Sequence, residues 1–302
     1  MNLWIPDRVG HDAIGELPEG VSLGLIPRDG GLPDAVLAAE FLVPAPRDTR
    51  LYELLAQMPA LRVVQTLSAG VDRLLPFVPA GVTVCDAGGA RDIAVAELVL
   101  AMILASTRTL PELRDRQREH VWDWRRSAEL AGSTVMILGY GSIGAAVEAR
   151  LAPFEVDVIR VARHARARVH SVDELESLLP LTDIVVVLLP FTPATAGLLD
   201  ARLLGCLRPG ALLVNAARGP IVDTEALLEL LEAERLRAAL DVTDPEPLPA
   251  DHPLWDAPGV LITPHFGGDT SAAERRAFEL AGEQVRRYLR GEQLTNQVEH
   301  GY

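Results

Sequence analysis

The run Gly139-Tyr140-Gly141-Ser142-Ile143-Gly144 constrains this chain more than any other segment. It joins the apolar run Val135-Met136-Ile137-Leu138 to residues 143–151, where apolar side chains recur at helical spacing. Strand, glycine turn and helix in that order are the opening of a βαβ unit with a parallel sheet. The three glycines allow a tight turn, close backbone approach to a ligand, and close packing of helix on strand. The helix start then offers free amides and positive potential, which suit a pyrophosphate. A hydrolase elbow is excluded, because GxSxG needs glycine two residues before the serine and Tyr140 stands there.

Short runs rich in Val, Ile and Leu recur along the rest of the chain between helical patterns and Gly/Pro turns. Residues 3–5, 21–26, 40–43, 62–66 and 82–85 predict a first, small doubly wound parallel sheet, with a helix over 49–57. Residues 134–138, 156–161, 184–189, 211–215, 238–242 and 260–263 predict six strands of a dinucleotide-binding sheet. Between the two series, residues 93–107 are apolar except for Glu97, a pattern for a buried helix too short to cross a bilayer. That helix is expected to be the hinge between two domains. An amphipathic helix over 271–290 is expected to return to the first. At 302 residues the chain suits two domains, and 49% hydrophobic residues supply two cores.

The formal charge of −14 argues against a nucleic-acid partner, which needs a basic face. All 28 basic residues are arginine, so Schiff-base chemistry, a P-loop lysine and a lysine general base are excluded. Cys85 and Cys206 form no CxxC or metal spacing, so no metal is expected. Both read as small buried hydrophobes in a reducing compartment. Asp7 and Arg8 interrupt the N-terminus too early for a signal peptide, and no run reaches the length of a membrane span. A cytoplasmic location is the expectation.

The strand after a nucleotide-binding turn usually ends on an acid that holds the ribose 2′-hydroxyl. Here it reads Val158-Ile159-Arg160-Val161-Ala162-Arg163-His164, with Ala162 in the acid's place and Arg166 and Arg168 just beyond. A 2′-phosphate would find charge-assisted partners in Arg163, His164 and Arg166, and no carboxylate to repel it. NADP(H) is therefore expected in preference to NAD(H), with NAD(H) possible beside a merely solvated arginine loop.

Three later segments fall at carboxyl ends of predicted strands, where ligands of open α/β sheets bind. They are Asn215-Ala216-Ala217-Arg218-Gly219, Asp241-Val242-Thr243-Asp244-Pro245-Glu246-Pro247-Leu248 and Thr263-Pro264-His265-Phe266-Gly267-Gly268. Ser68-Ala69-Gly70-Val71-Asp72, Val95-Ala96-Glu97, Leu189-Pro190 with Thr192 and Thr195, and His252-Pro253-Leu254-Trp255 accompany them. With these motifs, spread over most of the chain, it resembles the D-isomer-specific 2-hydroxyacid dehydrogenase family.

The resemblance implies an α/β fold of two doubly wound parallel-sheet domains. A flavodoxin-like substrate domain would take 1–93 plus 271–302, and a Rossmann cofactor domain 94–270. It implies a catalytic triad of Arg218, Glu246 and His265. Reducing a 2-oxo acid needs a hydride at carbon and a proton at oxygen. His265 can give that proton near neutral pH, Glu246 would stabilise the imidazolium, and Arg218 can clamp the substrate carboxylate. Backbone amides of Ala69, Gly70 and Val71 would hold the carboxylate from the other domain, which makes domain closure part of catalysis. Leu189, Pro190, Thr195, Ala216, Ala217, Arg218, His265 and Gly267 join the glycine turn as cofactor contacts.

Each residue also has a plainer reading. Glu246 between prolines could be a loop carboxylate, and Arg218 could touch cofactor only. Asp241 could lie near the nicotinamide or merely cap a strand. His252 reads as structural, and Trp122 and Trp124 either face a partner in a homodimer or pack in a core. Of His11, His120, His164, His170 and His300, only His164 has a role, beside the 2′-phosphate.

The resulting expectation is reduction of a small anionic 2-oxo acid, glyoxylate or hydroxypyruvate, with NADPH. NAD-dependent oxidation of 3-phosphoglycerate or phosphite is the alternative within the family. The chain ends soon after its last helix, without the regulatory domain of many phosphoglycerate dehydrogenases, which weighs against the first of these. A dinucleotide-sensing corepressor is the alternative of a different class, and its partner grooves and extended tail are what would distinguish it.

Overall fold

The computed structural model describes residues 1–8 and 10–298, so His300 and the end of the expected 271–302 segment lie outside the described residues. The chain divides into two compact units, one of Met1–Ala94 resuming at Gly268, the other Val95–Gly267.

The first unit is a five-stranded parallel sheet of β1 (Asn2–Pro6), β2 (Ser22–Ile26), β3 (Phe41–Leu42), β4 (Val63–Gln65) and β5 (Thr83–Cys85), in the order β2-β1-β3-β4-β5. Side chains alternate across it. Leu3, Ile5, Phe41, Val63 and Cys85 pack with Ala277, Phe278, Ala281 and Val285. Leu42, Val64 and Val84 face the other way, onto Leu51, Leu55 and Leu74. Two largely buried faces explain why β1, β3, β4 and β5 read as apolar runs, while Leu23 and Leu25 of the edge strand β2 are exposed. The helix expected over 49–57 is one turn, α1 (Thr49–Tyr52), followed by a 3₁₀ turn at Leu55–Gln57. Pro59 bars Met58 from the helical region, so the 3₁₀ turn ends there.

Next come the all-round apolar α2 (Asp92–Thr107) and α3 (Leu110–Arg118). The second unit is a seven-stranded parallel sheet of β6 (Thr134–Leu138), β7 (Asp157–Ala162), β8 (His170–Ser171), β9 (Ile184–Val187), β10 (Ala211–Asn215), β11 (Leu236–Leu240) and β12 (Val260–Ile262). Its order is β12-β11-β10-β9-β6-β7-β8. The two-residue β8, too short for a periodic signal, is the strand that sequence patterning misses. Val135, Ile137, Val186 and Val214 pack under α2 and α4 (Ser142–Leu151). Met136, Leu138, Val185 and Leu213 pack under α5 (Leu175–Leu178), α6 (Ala201–Gly205) and α7 (Thr224–Glu232). The final helix, α8 (Ser271–Leu289), belongs to the first unit, where Gly282 lets it press onto the Ile14 carbonyl; a Cβ would lie 2.0 Å from that oxygen.

Cys85 is fully buried, and burial pushes its thiol up to about 12. Cys206 is only half-buried and donates to the Arg202 carbonyl, so the expectation of a buried hydrophobe fails there. Among the described residues no single helix is long and apolar enough to cross a membrane.

Candidate active site

Parallel pairing puts the carboxyl ends of β6, β9, β10, β11 and β12 along one edge of the second sheet. Every site residue expected from this half of the chain, except those after β7, follows one of those five ends. The glycine turn comes first. Gly139 has φ 110, and a Cβ there would lie 2.5 Å from the Leu188 carbonyl carbon, so the tight approach of β6 and β9 demands glycine. The Gly139 and Tyr140 amides both donate to the Val161 carbonyl, which ties the turn to β7. Gly141 faces open space and precedes the first turn of α4, whose start has no side-chain cap. An uncapped helix start beneath an open glycine fits a pyrophosphate. Gly144 sits against the Gly139 carbonyl and Ile137, the close packing expected of the third glycine.

The arginines after β7 separate into distinct roles. Arg160 faces α4, where its guanidinium grips both oxygens of the Glu148 carboxylate and lies 5.7 Å from the Tyr140 ring centre. Tyr140 donates to the same carboxylate. Arg166 donates to the Tyr140 carbonyl at 2.6 Å, latching the basic loop onto the glycine turn. Arg163 and His164 are exposed, and among the described residues neither side chain bonds to another. After β9, Leu189 is buried, while the Thr195 hydroxyl donates to the Pro190 carbonyl at 2.7 Å and closes the loop.

After β10 the buried Asn215 bends the chain, accepting from the Ala217 amide and donating to the Arg218 carbonyl. Ala216 and Ala217 thereby lie along the sheet edge, and Arg218 emerges extended with one guanidinium nitrogen on the Ala217 carbonyl. Gly219 then passes so close to the loop after β11 that a Cβ would meet the Thr243 oxygen at 2.0 Å.

The loop after β11 carries Glu246, flanked by two cis X-Pro bonds. Its Oε1 lies 2.8 Å from His265 Nδ1, and the two side chains are 18% and 26% exposed. A carboxylate can only accept, so Nδ1 holds the ring proton there. His265 occupies the left-handed region, φ 52, costly for a residue with a Cβ. The buried Asp241 holds it there. Its Oδ1 accepts from the Thr263 hydroxyl at 2.6 Å and the Phe266 amide at 3.0 Å, and its Oδ2 accepts from the Gly267 amide at 3.0 Å. Gly267 is glycine because a Cβ would come within 2.9 Å of that carboxylate. Sequence reading missed Asn215 and Thr263, whose only signal is a polar side chain at the end of an apolar run.

His252 accepts from the Leu254 amide, a structural cap as expected. His170 pairs with Glu174. In the first unit, the Thr66 and Ser68 hydroxyls brace the loop after β4. The Gly70 and Val71 amides have no acceptor among the described residues. The Val71 side chain is core.

A parallel sheet of this order, with a glycine turn between its first strand and helix, defines a Rossmann dinucleotide-binding unit. Residues 100–267 match the family described as D-isomer specific 2-hydroxyacid dehydrogenase, NAD binding domain, and the chain belongs to that family. A D-3-phosphoglycerate dehydrogenase of Mycobacterium tuberculosis (strain ATCC 25618 / H37Rv) is 35% identical over 313 residues, 98% of this chain but 58% of that protein. The chain thus spans little more than half the length of such relatives. A glyoxylate reductase of Thermofilum pendens is 36% identical over 255 residues, 80% of this chain and 75% of its own. The crystal structure of a D-isomer specific 2-hydroxyacid dehydrogenase from Xanthobacter autotrophicus Py2, in complex with NADPH and MES, aligns with a TM-score of 0.82 at 31% identity over 99% of each chain.

Proposed function

We infer that the protein is a nicotinamide-dependent D-2-hydroxyacid dehydrogenase reducing a small 2-oxo acid such as glyoxylate or hydroxypyruvate. The observation that carries this reading is the His265–Glu246 pair at 2.8 Å on the same sheet edge as the glycine turn. Residues 139–144 fit the cofactor's pyrophosphate, and NADP(H) is favoured by the exposed Arg163 and His164 where an acid would serve NAD(H). When bound, that cofactor supplies or accepts the hydride.

The chain's own part is proton transfer and charge. His265 Nε2 delivers the proton to the substrate oxygen while Glu246 steadies the positive ring through Nδ1–H. Arg218, extended from β10, clamps the carboxylate and polarises the oxo group. The assignment of residues 69–71 to the same carboxylate rests on the family resemblance, supported by Gly70 and Val71 amides that have no acceptor among the described residues. Asp241 acts by holding the His265 turn. Oxidation of 3-phosphoglycerate is the second reading, favoured by the alignment of phosphoglycerate dehydrogenases along 98% of the chain. A homodimer is inferred from residues 110–129, none of which is buried.

Replacing His265 by alanine tests the assignment. A panel of 2-oxo acids followed at 340 nm should show kcat lowered about 10²–10⁴-fold, with cofactor affinity nearly unchanged. Turnover at the wild-type rate would remove His265 as the proton donor.

A further inference from the structure

The first unit has a concavity that none of the residues assigned above lines. Its strand order reverses between β1 and β3, and ligands of open parallel sheets bind outside the carboxyl ends at such a reversal. A cavity of about 390 Å³ lies there, lined by Asp7 and Arg8 after β1, Arg28 after β2, and Arg47, Asp48 and Arg50 after β3. That volume is at the lower end of small-molecule sites. Four arginines and two aspartates line it, with Glu274 paired to Arg8 from outside the lining, on a chain of charge −14.

The arginines are not equivalent. Arg50 is spent on structure: Nε and Nη2 hold the Asp48 carboxylate at 2.7 and 2.6 Å. Its remaining N–H groups take the Pro27 and Gly30 carbonyls, welding the loops after β2 and β3 into one wall. Arg8 is ion-paired with Glu274, its Nε 2.8 Å from the carboxylate, and Arg28 donates through Nε to the Asp7 carbonyl at 3.1 Å. Among the described residues, neither has an acceptor on Nη1 or Nη2. A guanidinium pinned at Nε presents its Nη edge in a fixed direction, the geometry that grips an oxyanion through two parallel bonds. No lining side chain is aromatic, and more than half of the lining residues are charged.

We propose that this pocket binds a phosphoryl dianion between Arg8 and Arg28. The dianion is either the phosphoryl end of a phosphorylated hydroxy acid or a free phosphorylated effector. Calorimetric titration of the intact chain with inorganic phosphate, at ionic strength held constant with chloride, should show saturable binding. Arg28→Ala should weaken it roughly tenfold or more, and Arg8→Gln likewise. Arg218→Ala should leave it unchanged. Arg28 is exposed and makes one hydrogen bond, so its variant remains informative even if Arg8→Gln, which strands Glu274, fails to fold.

Kinetics then separate the sources. A KM raised for 3-phosphoglycerate but not glyoxylate in Arg28→Ala identifies the substrate's phosphoryl end. Loss of phosphate binding with both KM values unchanged identifies a free effector. Absence of saturable binding, binding that survives Arg28→Ala, or an equal rise in both KM values would overturn the proposal. The calorimetry needs no turnover, so it stands even if the dehydrogenase reading fails.

Discussion

Arg163 is exposed at the end of β7, with its charge uncommitted to any partner among the described residues. Arg160, three residues earlier, is closed on Glu148. A 2′-phosphate bonded to Arg163 would gain a charge-assisted hydrogen bond that a 2′-hydroxyl cannot match. Arg163→Ala should therefore lower kcat/KM for NADPH roughly tenfold or more while changing that for NADH little. Steady-state kinetics with both cofactors checks it, and equal losses would show that Arg163 does not read the 2′ position. At this scale the sequence was generous with reactive groups and silent about their supports. His265 and Glu246 could be singled out because the segments that carry them resemble motifs of a known family. Asp241 admitted two readings, and only the hydrogen bonds to Thr263, Phe266 and Gly267 reveal how it secures a left-handed histidine.

The joint of β6, α4 and β7 is an element whose strength should depend on pH. Glu148 on α4 joins Arg160 on β7 to Tyr140 in the glycine turn. The Arg160 guanidinium holds the Glu148 carboxyl below its ordinary value of 4.5. A carboxyl with a depressed value stabilises the fold above its unfolded-state value, and loses that contribution as pH falls through the folded-state one. Glu148→Gln should thus cost about 1 kcal/mol near neutral pH, since the partly exposed pair is screened by solvent. Urea melts of the two proteins should converge as pH falls below 4.5. A constant gap down to low pH would mean that the ion pair contributes nothing. Among the elements, apolar runs were legible because the inner strands of both sheets are buried on two faces. The break in residues 49–57 and the two-residue β8 were not, since Pro59 and pairing with β7 decide them.

For the whole molecule, the informative feature is what stays unburied. From Leu110 to Glu129 no residue is buried, and Trp122 and Trp124 are 96% and 77% exposed. Core packing is thereby excluded for both tryptophans. Each ring could bury roughly 150–250 Å² against a second copy, a large gain for one residue. Light scattering should give a mass near twice the 32.6 kDa of one chain. Replacing both tryptophans by alanine should shift it toward the monomer. A monomeric wild type would refute the homodimer.

The sequence by itself determined the layers and the chemical inventory. Apolar runs that become parallel strands, and a glycine turn set between strand and helix, are properties of residue type and order. The tertiary structure decided which groups are committed and which remain available. Arg160 and Arg166 bond inward while Arg163 stays open, and Arg50 is consumed by Asp48 while Arg8 and Arg28 keep their Nη edges. That division cannot be read along the chain, because a charged side chain is spent or available according to what lies beside it in space.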